Sequence, residues 1–209
     1  MKLYLNTASP YARLARVLLI ETDLAASTEF VDTDPWTASD AFWSVNPAGK
    51  IPALVLDDGT TLIESACIAD HLIAVSGRSV LAVGSRPNAA GRLQVLGLAR
   101  AAMDCAFSAV IQQRFGESGK LAERWLTAVP RIAARLDAVN DIAVQMRPSA
   151  AHDLEPARCD LADLTLAVAF GYVRFRLPQI DWETNAPRLA EWIEFLEERA
   201  SLALTRPQS

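Results

Sequence analysis

Three short stretches carry residue types that could do chemistry together. The first is Ser9-Pro10, which follows a short apolar strand segment (Lys2 to Leu5) and opens an amphipathic one. Proline suits the first helical position because its missing N–H would have no partner there. Ser9 is then the N-cap, and its side-chain oxygen can accept from a backbone N–H one turn in, a contact worth about 1 kcal/mol. The same geometry has a second use. A helix N-terminus presents positive partial charge and free N–H groups, and a hydroxyl there can also donate to an anion such as a ligand thiolate. That favours ionisation of the thiol, at about 1.4 kcal/mol per unit of lowered pKa.

The second stretch is "NPAGKIPAL", residues 46 to 54. Asn46-Pro47-Ala48-Gly49 is a turn signal, since proline presets φ and glycine tolerates positive φ. Pro52 cannot donate to a strand ladder, which places it at a strand's first residue or on an edge. It reads either as a plain loop entering a strand or as a cis proline, which would turn the Ile51 N–H and C=O toward a peptide-like ligand. The third is Glu64-Ser65, where a strand ends and a helix begins. Ser65 reads as one more N-cap beside a solvated Glu64. As a site, Ser65 and the free N–H groups would bind a carboxylate while Glu64 accepts from an ammonium.

These residues need a scaffold, and the first 78 residues alternate strand and helix signals. Leu3–Leu5 reads as a strand and Pro10 to about Thr22 as a helix with Leu14, Val17 and Leu18 on one face. "TEFVDTD" is a second short strand, and "WTASDAFWSVN" a weak, irregular helix. "IPALVLDDGTTLIES" holds two apolar runs around Asp57-Asp58-Gly59, a hairpin signal. Ser65 to about Ser76 is helical. The order β-α-β-α-β-β-α implies a small mixed sheet covered by helices.

Residues 79–87 read as a linker, and 88–209 as all helical. Asn88 is a good N-cap for a helix to about Phe115. A second is expected from about Ser118 to Met146, kinked or divided by Pro130. "DLADLTLAVAFGYVRFRL" is strongly apolar, a central helix, and "APRLAEWIEFLEERA" is amphipathic.

The bulk properties narrow the field. At 209 residues the chain holds one large domain or two small ones. No apolar run approaches the roughly 18 residues of a membrane span, and the start lacks the pattern of a signal peptide. Cys67, Cys105 and Cys159 are odd in number and far apart, which fits neither a disulfide framework nor a zinc site; a cytoplasmic setting is expected, with no metal. The net charge of −5 argues against nucleic acid. All of it falls in residues 1–78, where five basic residues face ten acidic ones, so local donors rather than net charge must hold any anion. His71 and His152 lie in unrelated contexts, which disfavours a Ser-His-Asp hydrolase.

Taken in order, S-P-x-x-x-x-x-R, then N-P-x-G-K-I-P-A-L, then a turn and E-S ahead of a helical region, resemble the cytosolic glutathione S-transferase superfamily, over essentially the whole chain. "CDLADLTLA" is similar to that family's capping box and hydrophobic staple, with Asp160 as N-cap, Asp163 closing the box and Cys159 packing on Leu164. "APRLAEWIEFLEERASLALTRP" is similar to its final long helix. The resemblance implies a thioredoxin-like N-terminal domain (1–78) that binds glutathione, followed by an α-helical bundle domain (88–209) that supplies most of the pocket for a hydrophobic electrophile. It implies Ser9 beside the glutathione sulfur, Ile51 and cis Pro52 at the cysteinyl backbone, Glu64 with Ser65 at the γ-glutamyl end, and Lys50 at the glycyl carboxylate. Tyr11, Met103, Phe107 and Arg114 would line the electrophile pocket. A homodimer, with neither nucleic acid nor membrane as partner, is also implied.

The departures qualify this. Ser9-Pro10-Tyr11-Ala12 lacks cysteine, which argues against disulfide exchange by a CxxC pair. Tyr4 does not register with the tyrosine motif of the animal classes and reads as packing. The expected activity is attack of the glutathione thiolate on a hydrophobic electrophile. The alternatives are a non-catalytic binding or assembly module and a glutathione-dependent peroxidase.

Overall fold

The computed structural model describes residues 1–85, 88–116, 119–139 and 159–207. They form two compact units, Met1–Ser79 joined by the segment from Ala203 onward, and Val80–Leu202. The tail's return to the first unit was not part of the expected division into 1–78, 79–87 and 88–209.

The first unit is built on a four-stranded sheet of order β2-β1-β3-β4, from β1 (Lys2–Leu5), β2 (Glu29–Asp32), β3 (Ala53–Val55) and β4 (Thr61–Ile63). β2 lies parallel to β1, which requires a crossover, and α1 (Pro10–Glu21) provides it. β3 runs antiparallel to β1, and β4 antiparallel to β3. Leu3 and Leu5 of β1 are buried, alternating with half-buried Lys2 and Tyr4, as a sheet with one apolar face demands. α1 packs on α3 (Ser65–Ser76), joining Leu14, Val17 and Leu18 to Ile68, Ala69 and Leu72 in the buried core. The short α2 (Asp40–Val45) is a regular, capped helix.

In the second unit α4 (Ala89–Phe115) is the central element, in contact with α5 (Lys120–Ala138) and α6 (Leu161–Arg176). α7 (Pro187–Glu197) packs on α5 and α6. By length and hydropathy alone α4 meets the minimum for a membrane span, an amendment to the sequence reading. Its buried Val95, Ala99, Ala102, Met103 and Ala106 form one stripe toward neighbouring helices, the pattern of a core helix.

Residues 79–85 form two short 3-10 turns, Ser79–Leu81 and Val83–Ser85, that bury Leu81 and Val83. Of the expected kink or division at Pro130 the division does not occur, and α5 runs through it. Two details differ from expectation. α5 ends at Ala138, where Val139 turns extended; the rest of the expected run to Met146, like His152, lies outside the described residues. The last long helix is broken, since the turn closes on Leu196 and Phe195 and α8 (Ala200–Leu204) starts afresh.

Candidate functional site

The strand register decides which loops meet. Ala53, the first residue of β3, stands opposite Tyr4 on one side and Ile63 on the other. The chain therefore leaves β1, enters β3 and leaves β4 at one end of the sheet. Ser9, Pro52 and Glu64-Ser65 follow or precede those three strand ends within a few residues. Three adjacent strands span roughly 10 Å.

At the first junction Asn6 makes a tight turn, its Oδ1 accepting from the Ala8 N–H at 2.9 Å and its carbonyl from the Ser9 N–H at 3.1 Å. Ser9 is extended (φ −80°, ψ 125°), Pro10 is the first helical residue, and Ser9 Oγ accepts from the Ala12 N–H at 3.3 Å. The cap uses Oγ as an acceptor and leaves the hydroxyl hydrogen as a donor. Ser9 is half-buried. One turn on, Arg13 is buried, and its Nε donates to Thr205 Oγ1 at 3.4 Å, which ties the returning tail to α1. Burial, and then the charge of Arg13, lower the pKa of Arg16.

At the second junction Asn46 ends α2 and is buried. Its Nδ2 donates to the Lys50 carbonyl at 2.6 Å, its Oδ1 accepts from the Ala48 N–H at 3.0 Å, and its carbonyl accepts from the Gly49 N–H at 2.9 Å. Sequence reasoning read Asn46 only as part of a turn signal; here it holds the whole turn. The Ile51–Pro52 peptide bond is cis. Pro52 is buried, Ile51 half-buried and Lys50 exposed.

At the third junction the expected cap moves by one residue. Glu64, not Ser65, is the N-cap of α3, and Ser65 is its first helical residue. Glu64 leaves β4 with φ 66° and ψ 123°, and its carbonyl already accepts from the Ile68 N–H at 3.1 Å. No side chain caps this helix end. A positive φ at a non-glycine residue costs on the order of 1–3 kcal/mol and gathers at functional sites. Glu64 is exposed and Ser65 half-buried.

The arrangement thus joins the N-termini of two 12-residue helices, α1 and α3, at one end of a sheet. Neither has an acidic residue in its first turn; α3 has the acidic Glu64 at its N-cap, whereas α1, capped by Ser9, leaves the positive end of its dipole uncompensated. This suits an anion. Of the other expected site residues, half-buried Tyr11 is on α1, whereas Met103 (buried), Phe107 (half-buried) and Arg114 (exposed) are on α4 in the second unit. Tyr4 packs on Phe42, with ring centroids 5.5 Å apart. No cluster of metal-ligating side chains occurs among the described residues.

The sequence models of the glutathione S-transferase N-terminal and C-terminal domains match residues 8–75 and 120–195. A glutathione transferase family member from Pseudomonas fluorescens Pf-5, crystallised with bound glutathione, is 30% identical over 100% of this chain and 99% of that one, with a TM-score of 0.82. The chain belongs to the glutathione S-transferase superfamily. A second glutathione S-transferase, from Methylobacillus flagellatus KT with GSH bound, is 27% identical over 99% of both chains, again with a TM-score of 0.82. The uncharacterized GST-like protein YibF of Escherichia coli K12 is 26% identical over 99% of this chain and 98% of its own. Within this chain, the first unit is the thioredoxin-like domain and the second the helical one.

The helical domain's capping box forms as expected. Asp160 Oδ1 accepts from the N–H groups of Ala162 (2.9 Å) and Asp163 (3.3 Å), and Asp163 Oδ2 accepts from the Asp160 N–H at 3.1 Å. Cys159 and Leu164, the staple positions, are both buried. What the sequence did not reveal is Arg92, whose guanidinium grips both carboxylates from α4.

Proposed function

We propose that this protein is a glutathione transferase in which the Ser9 hydroxyl and the first amides of α1 stabilise the glutathione thiolate for attack on a hydrophobic electrophile. One observation carries the reading: β1, β3 and β4 bring the Ser9, Ile51-Pro52 and Glu64-Ser65 junctions to one sheet end, two strand spacings across. A tripeptide in extended form is about 10 Å long, which fits that width. Glutathione bound to relatives 30% and 27% identical to this chain supports the same ligand.

In this reading Ser65 and the α3 amides receive the γ-glutamyl carboxylate, and Glu64 accepts from its ammonium. Ile51 pairs through its main chain with the cysteinyl residue, and Lys50 meets the glycyl carboxylate. The sulfur then lies beside Ser9. Its negative charge is favoured by the Oγ–H donor and by the dipole of α1. The electron pair on sulfur forms a C–S bond with the electrophile while the leaving group departs with the pair of the broken bond. The protein contributes positioning and anion stabilisation, and the nucleophile belongs to the cosubstrate. Within the first unit, Tyr11 is the proposed contact of the electrophile. The proposal includes a homodimer in a reducing, cytoplasmic setting.

The test is kinetic. With a generic aryl halide, Ser9→Ala is expected to lower kcat/KM by about one to two orders of magnitude, the loss of one charge-assisted donor, and to move the apparent thiol pKa upward. An unchanged rate and pH profile would reduce Ser9 to a helix cap. Parallel assays with a peroxide distinguish the reductive activity, and failure to bind glutathione at all would leave a non-catalytic module.

A further inference from the structure

Trp43 follows Phe42 on α2. Phe42 is buried against Tyr4, so the helical turn of about 100° per residue carries Trp43 to the flank of the helix. It is 46% exposed there, and truncating such a surface residue ordinarily changes little. Its surroundings say otherwise. A Cβ placed on Gly49 would stand 2.2, 2.4 and 2.9 Å from the Trp43 ring atoms Cη2, Cζ3 and Cζ2. Ordinary carbon contacts lie near 3.5–4.0 Å, so the indole reaches the Gly49 backbone only because no side chain is present. Gly49 also has φ +63°, a second reason for glycine. The turn is clasped from two sides, by the hydrogen bonds of buried Asn46 and by the Trp43 ring.

We propose that Trp43 is a positioning residue of the glutathione site: its indole, seated on Gly49, fixes the turn that presents Lys50 and Ile51. This rests on the function proposed above. Lys50 and Ile51 directly follow Gly49, and Lys50 shares the turn's Asn46 hydrogen bond through its carbonyl. A turn free to swing would pass its motion straight to them. Trp43 touches neither sulfur nor electrophile in this role, so it acts on affinity rather than on the chemical step.

The experiment compares the full chain with Trp43→Ala and Trp43→Phe by amide hydrogen exchange and glutathione titration. The Gly49 N–H, which donates to the Asn46 carbonyl, reports the turn without any ligand. In Trp43→Ala it is expected to exchange about tenfold faster, with Kd for glutathione raised roughly five- to twentyfold. The kcat at saturating glutathione should stay within about twofold, and Trp43→Phe should restore most of both losses. Unchanged Gly49 exchange in Trp43→Ala overturns the proposal, as does an unchanged Kd. If the parent protein itself binds no glutathione, the proposed function fails, and Gly49 exchange alone decides whether Trp43 holds the turn.

Discussion

Arg92 grips Asp160 with two near-parallel hydrogen bonds, Nε to Oδ2 at 2.8 Å and Nη2 to Oδ1 at 2.6 Å. The same Nη2 lies 2.8 Å from Asp163 Oδ1, and all three side chains are buried. Asp163 Oδ1 also accepts from Trp192 Nε1 at 3.3 Å. Burial works against the Arg92 charge, but its bonds to Asp160 and the charge of Asp163 outweigh this and raise its pKa. The guanidinium thus pins α4 to the first turn of α6, and α7 joins through Trp192. Removing one partner of such a pair strands a buried charge at about 3–5 kcal/mol. Arg92→Met is expected to lose that much in urea unfolding, and a loss under 1 kcal/mol would show the pin to be incidental.

The pair leaves a pH signature. Asp163 is fully buried; burial raises its pKa, Arg92 opposes this, the Asp160 charge adds to it, and the result is about 6. The folded state then holds the Asp163 proton more tightly than the unfolded chain, whose carboxyl titrates near 4. This contribution is fully present below about pH 4 and is lost as pH rises through about 6, on the order of 3 kcal/mol in all. Thermal unfolding at a series of pH values should therefore show stability from this site falling between pH 4 and 6. Asp163→Asn should flatten that slope.

Ser9 caps α1, and one substitution separates that observed role from the proposed one at the thiolate. Aspartate caps a helix as well as serine does, but it is anionic and cannot donate. Ser9→Asp should keep thermal stability within about 1 kcal/mol of the parent while abolishing turnover with an aryl halide. Retained turnover would place the thiolate elsewhere.

Glu64 holds a backbone conformation that glycine adopts at no steric cost. Glu64→Gly is expected to hold or raise stability by up to about 1 kcal/mol and to weaken glutathione binding. If affinity for glutathione is unaltered, Glu64 is a strained turn residue and not a ligand contact.

What the sequence made legible was local. Ser9-Pro10, the 46–52 turn and the Asp160–Asp163 box depend on neighbours within four residues, where capping and turn chemistry act directly. Glu64 misled because its positive φ is imposed where β4 gives way to α3, shifting the cap off Ser65. Arg92 was one basic residue among several on a helix, its partner Asp160 lying 68 positions away. Trp43 lies in a stretch, residues 36–46, whose helical pattern is weak and irregular. Its contact with Gly49 becomes visible only once Phe42 is known to face the core.

The central claim is that Ser9 helps a bound thiol to ionise. Ultraviolet titration of glutathione bound to the parent and to Ser9→Ala measures this directly. The expected result is a bound-thiol pKa one or two units below that of free glutathione in the parent, rising by about one unit in the variant. Equal values in the two proteins would contradict it.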